Sequence, residues 1–222
     1  MIVSMWMTRE PVTVSLETRA IEAASMMAHK RIRRLLVTEN RSDGPRLLGI
    51  VSARDVLHAF PPEVNPFAVA GPDPRQGRVT VGEIMKCDVQ TVLADTPIEV
   101  AAELMLKWKI GALPVLQDGR LVGIITESDI FRAFVGMFVT EEPGARITFD
   151  VSKGEDVFGL IAGAAHRGGV RVTSLMRSQQ GARTECVVRV EGERVEELLD
   201  ELWQSGHPVL NVLRFPLKPG EA

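Results

Sequence analysis

Apolar and polar positions along the chain alternate between two periods, and the order of those periods is repeated. PVTV (11–14) and VQTV (89–92) alternate as short strands do. Each is followed by apolar residues at helical spacing: Ala20, Ala23, Ala24, Met27 and Ile32 in the first case, Ile98, Ala101, Ala102 and Met105 in the second. Thr18 and Thr96 stand where a capping hydroxyl would start those helices. RLLVTE (34–39) and ALPVLQ (112–117) then read as strands, and LLGIVS (47–52) and LVGIIT (121–126) follow after a Gly-bearing turn. ARDVLHAF (53–60) and ESDIFRAF (127–134) close each series as helices. The pattern predicts β-α-β-β-α twice.

The two series are copies of one unit. MTREPVTVSLET lies over MKCDVQTVLADT, and AASMMAHKRIRRLLV over AAELMLKWKIGALPV, at an offset of 78 positions. LLGIVSARDVLHAF lies over LVGIITESDIFRAF at 74. The difference falls in NRSDGPR, a polar turn where insertion is cheap. So small a unit leaves one sheet face bare, which predicts that the copies pack their sheets together as a pseudo-symmetric pair. The expected boundaries are 1–60 and 79–138, joined by an extended Pro-rich linker over 61–78.

The last third has another pattern. ARITFDVS is a strand, and EDVFGLIAGAAHRGG a helix stopped by Gly168-Gly169. VRVTSLMRS and TECVVRVE are strands around the turn QQGA. ERVEELLDELWQSG is an amphipathic helix with Val195, Leu198, Leu199 and Trp203 along one side, and PVLNVLRF is a final strand. The order β-α-β-β-α-β over 145–216 is ferredoxin-like, and the fold class is α+β.

Composition narrows the function. The 222 residues are 45% apolar and 25% charged with a formal net charge of −3, which gives no electrostatic case for nucleic acid. No apolar run reaches membrane-span length and the start shows no secretory pattern, so a cytoplasmic protein off the membrane is expected. Cys87 and Cys186 lack metal-ligand spacing and read as reduced thiols. Tyr is absent and Trp numbers three, against a binding face built on aromatic anchors. The segment from Gly163 to Gly168 has P-loop glycine spacing, but Gly169 and Val170 follow where Lys and Ser/Thr are needed. His29, His58, His166 and His207 are scattered, Glu196, Glu197 and Asp200 read as a solvated helix face, and nothing nominates a metal site or a nucleophile.

The duplicated phrase is the candidate chemistry: GIVSARDV (49–56) and GIITESDI (123–130). S-x-x-D at a helix start is a capping box with Asp in place of Glu, worth about 1 kcal/mol, and that structural reading stands on its own. The same geometry also suits a nucleotide. A helix mouth and its hydroxyl suit a phosphate, and a carboxylate one turn on can accept from a ribose diol. IRRLLV and IGALPV would give an apolar wall for a base, and Arg33 and Arg34 would meet phosphate oxygens.

These paired phrases, with ALPV before the second and MT…PVTV opening the first, resemble a tandem pair of CBS domains. The resemblance implies an adenosine ligand, its phosphate at the hydroxyl and its ribose at the Asp. It points to Ser52 and Asp55 in one cleft and Thr126 and Asp129 in the other. The base would lie beside Arg34-Leu35-Leu36-Val37 in the first and Ala112-Leu113-Pro114-Val115 in the second. The first copy departs at Leu36, where the second has Pro114. Arg33, Arg34 and Arg54 favour the first cleft for a polyphosphate; Glu127 and Gly111-Ala112 disfavour the second.

A CBS pair followed by a βαββαβ unit resembles the acetoin-utilisation B type of protein, whose last domain is ACT-like. Asp156 stands where the ACT turn has Gly, and Arg171 where Asn is frequent, so dimerisation is expected there rather than amino-acid binding. The expectation is a non-catalytic, energy-sensing regulator, a homodimer acting on a partner enzyme. Its ligand would be AMP, ADP, ATP or a relative such as NAD(H) or S-adenosylmethionine, with no prosthetic group. Its rivals are a dimeric scaffold with empty clefts and an enzyme whose chemistry no motif shows.

Overall fold

The structure is a computed structural model describing residues 1–42, 44–61, 64–67, 78–138, 142–154 and 156–215, so most of the expected linker lies outside the described residues. The chain forms two compact units, Met1–Ala133 and Phe134–Ala222.

After a 3-10 turn at Val3–Met5, the first unit runs β1 (Thr8–Arg9), β2 (Thr13–Val14), α1 (Ala20–Lys30), β3 (Arg34–Arg41), β4 (Gly44–Ser52) and α2 (Ala53–His58). It continues with α3 (Val81–Ile84), β5 (Val92–Leu93), α4 (Ile98–Trp108), β6 (Ala112–Gln117), β7 (Arg120–Thr126) and α5 (Glu127–Phe138), whose end passes into the second unit. Both copies therefore carry β-α-β-β-α, with sheet orders β2-β3-β4 and β1-β7-β6-β5. Strands β4 and β7 approach each other, which brings the two sheets together.

The first helices bury the faces their spacing predicts, with Ala20, Ala23, Ala24 and Met27 in one core and Ile98, Ala101 and Met105 in the other. Their starts correct the expected caps. Arg19 and Pro97 hold the N-cap positions, while the Thr18 and Thr96 hydroxyls accept from the N–H groups of Ser15 and Leu93, closing the preceding turns. Both helices end on a non-glycine left-handed residue, Arg31 (φ 53°) and Lys109 (φ 52°).

The copies are contiguous in sequence but exchange their leading segments in space. Val3, Trp6 and Met7 pack into the core of the second copy with Leu113, Val115 and Ile125. Val81, Ile84 and Met85 pack into the first, with Leu35, Val37 and Val51. Thr8 pairs with Ile124 of β7, and Lys86 bridges Ile50 of β4 through hydrogen bonds of 2.9 and 3.0 Å. This exchange explains the glycine that opens each phrase. A Cβ at Gly49 would lie 2.7 Å from the Lys86 carbonyl oxygen, and one at Gly123 would lie 2.9 Å from that of Thr8.

The second unit runs β8 (Gly144–Asp150), α6 (Val157–Gly168), β9 (Arg171–Gln180), β10 (Arg183–Glu191), α7 (Val195–Gln204) and β11 (Val209–Phe215). Its sheet is antiparallel throughout, in the order β11-β8-β10-β9. Asp156 caps α6 by accepting from the Gly159 N–H at 3.1 Å, and Gly169 (φ 62°) ends that helix. On α7 the buried stripe is Val195, Leu198, Leu199 and Leu202; the expected Trp203 is 57% exposed. Residue 202 completes the i, i+3, i+4, i+7 stripe, and 203 falls one step round the helix. Both cysteines are free; burial pushes the Cys186 thiol up.

Candidate functional site

Each phrase turns a strand into a helix, and each closes the same reciprocal cap. In the first, the Ser52 N–H and hydroxyl both donate to Asp55 Oδ2, at 2.8 and 2.5 Å, and the Asp55 N–H donates back to Ser52 Oγ at 3.3 Å. In the second, the Thr126 N–H and hydroxyl donate to Asp129 Oδ2 at 2.9 and 2.7 Å, and the Asp129 N–H returns to Thr126 Oγ1 at 3.4 Å. The capping reading thus holds twice, and it engages only Oδ2 of each aspartate.

The copies part at the other oxygen. Asp129 Oδ1 pairs with Arg132 at 3.1 Å and its side chain is 3% exposed. Asp55 Oδ1 has the Lys86 ammonium 4.0 Å away, beyond hydrogen-bond reach, and its side chain is 16% exposed.

Asp55 opens onto a cavity of about 470 Å³, within the range of small-molecule sites. The first copy contributes Arg33, Arg34, Ile50, Ser52, Ala53, Arg54 and Asp55. Residues Lys86, Asp88, Val89 and Gln90, and then Lys109, Ile110, Gly111, Ala112 and Glu127, complete the lining. Five cationic side chains (Arg33, Arg34, Arg54, Lys86 and Lys109) face three carboxylates (Asp55, Asp88 and Glu127), an excess that favours an anion. Burial pushes the Arg34 guanidinium down, against an opposing pull from Glu127 and Asp55. The group remains a cation.

Of the candidate residues, Arg33, Arg34, Ser52, Arg54, Asp55 and Ala112 line this cavity. Leu35 and Leu113 do not. Strand alternation turns them, with Val37 and Val115, into the helix-side cores, where they are fully buried. Pro114 is buried in β6 opposite Ile124 and Leu36 in β3 opposite Ile50, so the apolar lining comes from Ile50, Val89 and Ile110 instead. Thr126 and Asp129 are not among the lining residues, whereas Gly111 and Glu127, assigned from sequence to the second cleft, are. The strand start and helix mouth of the second copy face those of the first across one space. Lys86, Asp88, Gln90 and Lys109 were missed.

Residues 3–62 and 81–136 match the family model for the CBS domain. A CBS domain-containing protein of Dictyostelium discoideum is 33% identical over 133 residues, 58% of this chain and 88% of that protein. An L-aspartate semialdehyde sulfurtransferase of Methanocaldococcus jannaschii is 29% identical over 131 residues, 59% of this chain and 22% of the enzyme. An inosine-5'-monophosphate dehydrogenase of Korarchaeum cryptofilum is 31% identical over 140 residues, 63% and 25% respectively. The chain therefore spans a quarter or less of these two enzymes. Among solved structures, one named for acetoin utilization, from Vibrio cholerae, matches with a TM-score of 0.50 and 31% identity, over 61% of this chain and 91% of that one. CBSX2 in complex with AMP matches with a TM-score of 0.50 and 28% identity, over 61% and 96%. Among the described residues no helix is long and apolar enough to cross a membrane, and no group of three or more His, Cys, Asp or Glu is placed to hold a metal.

Proposed function

The chain belongs to the CBS-domain family, and from that premise we propose that it is a non-catalytic regulator that binds an adenine nucleotide in the cavity beside Asp55. The carrying observation is that one cavity brings together a carboxylate oxygen outside hydrogen-bond reach of its cation, a surplus of cations and an apolar lining. Asp55 Oδ1 accepts from the ribose diol, Arg33, Arg34 and Arg54 hold phosphate oxygens, and Ile50, Val89 and Ile110 flank the base. The AMP complex of CBSX2, a structure of similar fold, supports this ligand class. The cap occupies the Ser52 hydroxyl, so Ser52 acts by orienting Asp55. Thr126 and Asp129 form the weaker cleft, because Arg132 holds the oxygen a ribose would need.

The cavity draws its lining from both copies, so a ligand that fits one packing better than another shifts their arrangement by that difference in affinity. We assign the CBS copies to 1–60 and 79–138 and an ACT-like, ferredoxin-fold unit to 145–216, consistent with its strand order. In this reading β9, at the edge of that sheet, pairs subunits of a cytoplasmic homodimer that regulates a partner enzyme. One observation favours the rival scaffold reading: each hydroxyl–aspartate cap is complete without a ligand. A thermal-shift series with adenosine, AMP, ADP and ATP separates the two. A nucleotide at a hundredfold its Kd stabilises by about 2.7 kcal/mol, and a flat response to all four favours the scaffold.

A further inference from the structure

Glu127 begins α5 in the second copy, yet it lines the cavity beside Asp55 of the first. It is there because residue 111 has no side chain. A Cβ at Gly111 would lie 2.5 Å from Glu127 Oε2 and 2.7 Å from Arg34 Nη2. Those two atoms flank one point over the glycine, no farther apart than the two distances together. The Arg34 guanidinium is half-buried, and the opposing pull of Glu127 is the largest that any carboxylate exerts on it. Glu127 thus lies near, though not in an ion pair with, the cation best placed to bind a ligand's anion.

We propose that Glu127 is an internal competitor for the phosphate position: its carboxylate attracts Arg34 across the cleft from beyond ion-pair distance, and an incoming anion competes with it. This rests on reading the cavity as an adenylate site, and it adds both a selectivity and a regulatory consequence. Adenosine carries no anion and leaves the pair in place. A phosphate on Arg34 offsets its attraction to Glu127 and so weakens an electrostatic tie between the two copies, which makes phosphate the part of the ligand that the packing of the pair senses. Removing the carboxylate leaves five cations against two acids, so affinity rises with the anionic charge of the ligand.

The test is calorimetric titration of the full chain and of Glu127→Gln with adenosine, AMP and inorganic tripolyphosphate. Glu127→Gln is expected to bind AMP about fivefold and tripolyphosphate about tenfold more tightly, with adenosine changed less than twofold; tenfold corresponds to 1.4 kcal/mol. In an Arg34→Ala background the same Glu127→Gln change is expected to give no gain. Equal affinities of wild type and Glu127→Gln for AMP and tripolyphosphate would overturn the proposal while leaving the nucleotide site standing. A gain for tripolyphosphate without any AMP or adenosine binding would support the competitor and overturn the nucleotide reading. A gain that survives Arg34→Ala would show that Glu127 acts through general charge, and would also overturn it.

Discussion

The two copies of the phrase share every hydrogen bond of the cap and differ in what stands at the aspartate's other oxygen. Asp129 is tied down by Arg132, three residues on along the same helix. The first copy has His58 at that position, and Asp55 is left facing a cavity. Duplication has kept the structural half of the motif in both places and the open carboxylate in one. A matching motif is therefore a sign of fold, and how open its carboxylate stays depends on a residue outside it.

The largest expected effects treat both copies alike. Gly49→Ala and Gly123→Ala each drive a methyl into the exchanged segment and should cost about 2–3 kcal/mol, read as a lowered urea midpoint. A large cost at one glycine only would break the symmetry of the exchange. The aspartates should then separate the copies. Asp129→Ala removes the acceptor for two donors and an ion pair and should cost about 2 kcal/mol, against about 1 kcal/mol for the more open Asp55→Ala. A smaller effect sharpens the point: His58→Arg places the second copy's clamp in the first and should weaken AMP binding about fivefold, near 1 kcal/mol, by titration. Unchanged AMP affinity in His58→Arg would show that Arg132 is not what distinguishes the clefts.

What the sequence disclosed was mostly local. Helical and strand periods placed the main elements, and the cap spans only three residues, so Ser52–Asp55 and Thr126–Asp129 were legible directly. The apolar run reads in sequence as one wall, whereas alternation sends Leu35 and Leu113 to the helix-side cores. The exchange of Val3 and Met7 for Val81 and Met85 was invisible, because either segment could pack on either copy with the same apolar pattern. The approach of Glu127 to Arg34 is a contact between copies with no local signature; only the missing side chain at Gly111 hints at the space it needs. Leu202, not Trp203, completes the buried stripe of α7, because position 202 keeps the i, i+3, i+4, i+7 phase and 203 falls one step round the helix.

In the proposed function Asp55, unlike Asp129, holds an adenylate. The most direct measurement of this is isothermal titration of AMP into wild type, Asp55→Ala and Asp129→Ala, at a temperature where all three are folded. A Kd on the order of micromolar is expected for wild type, close to −8 kcal/mol, retained by Asp129→Ala and lost by Asp55→Ala. Absence of any heat with wild type, or loss in Asp129→Ala with retention in Asp55→Ala, would contradict it.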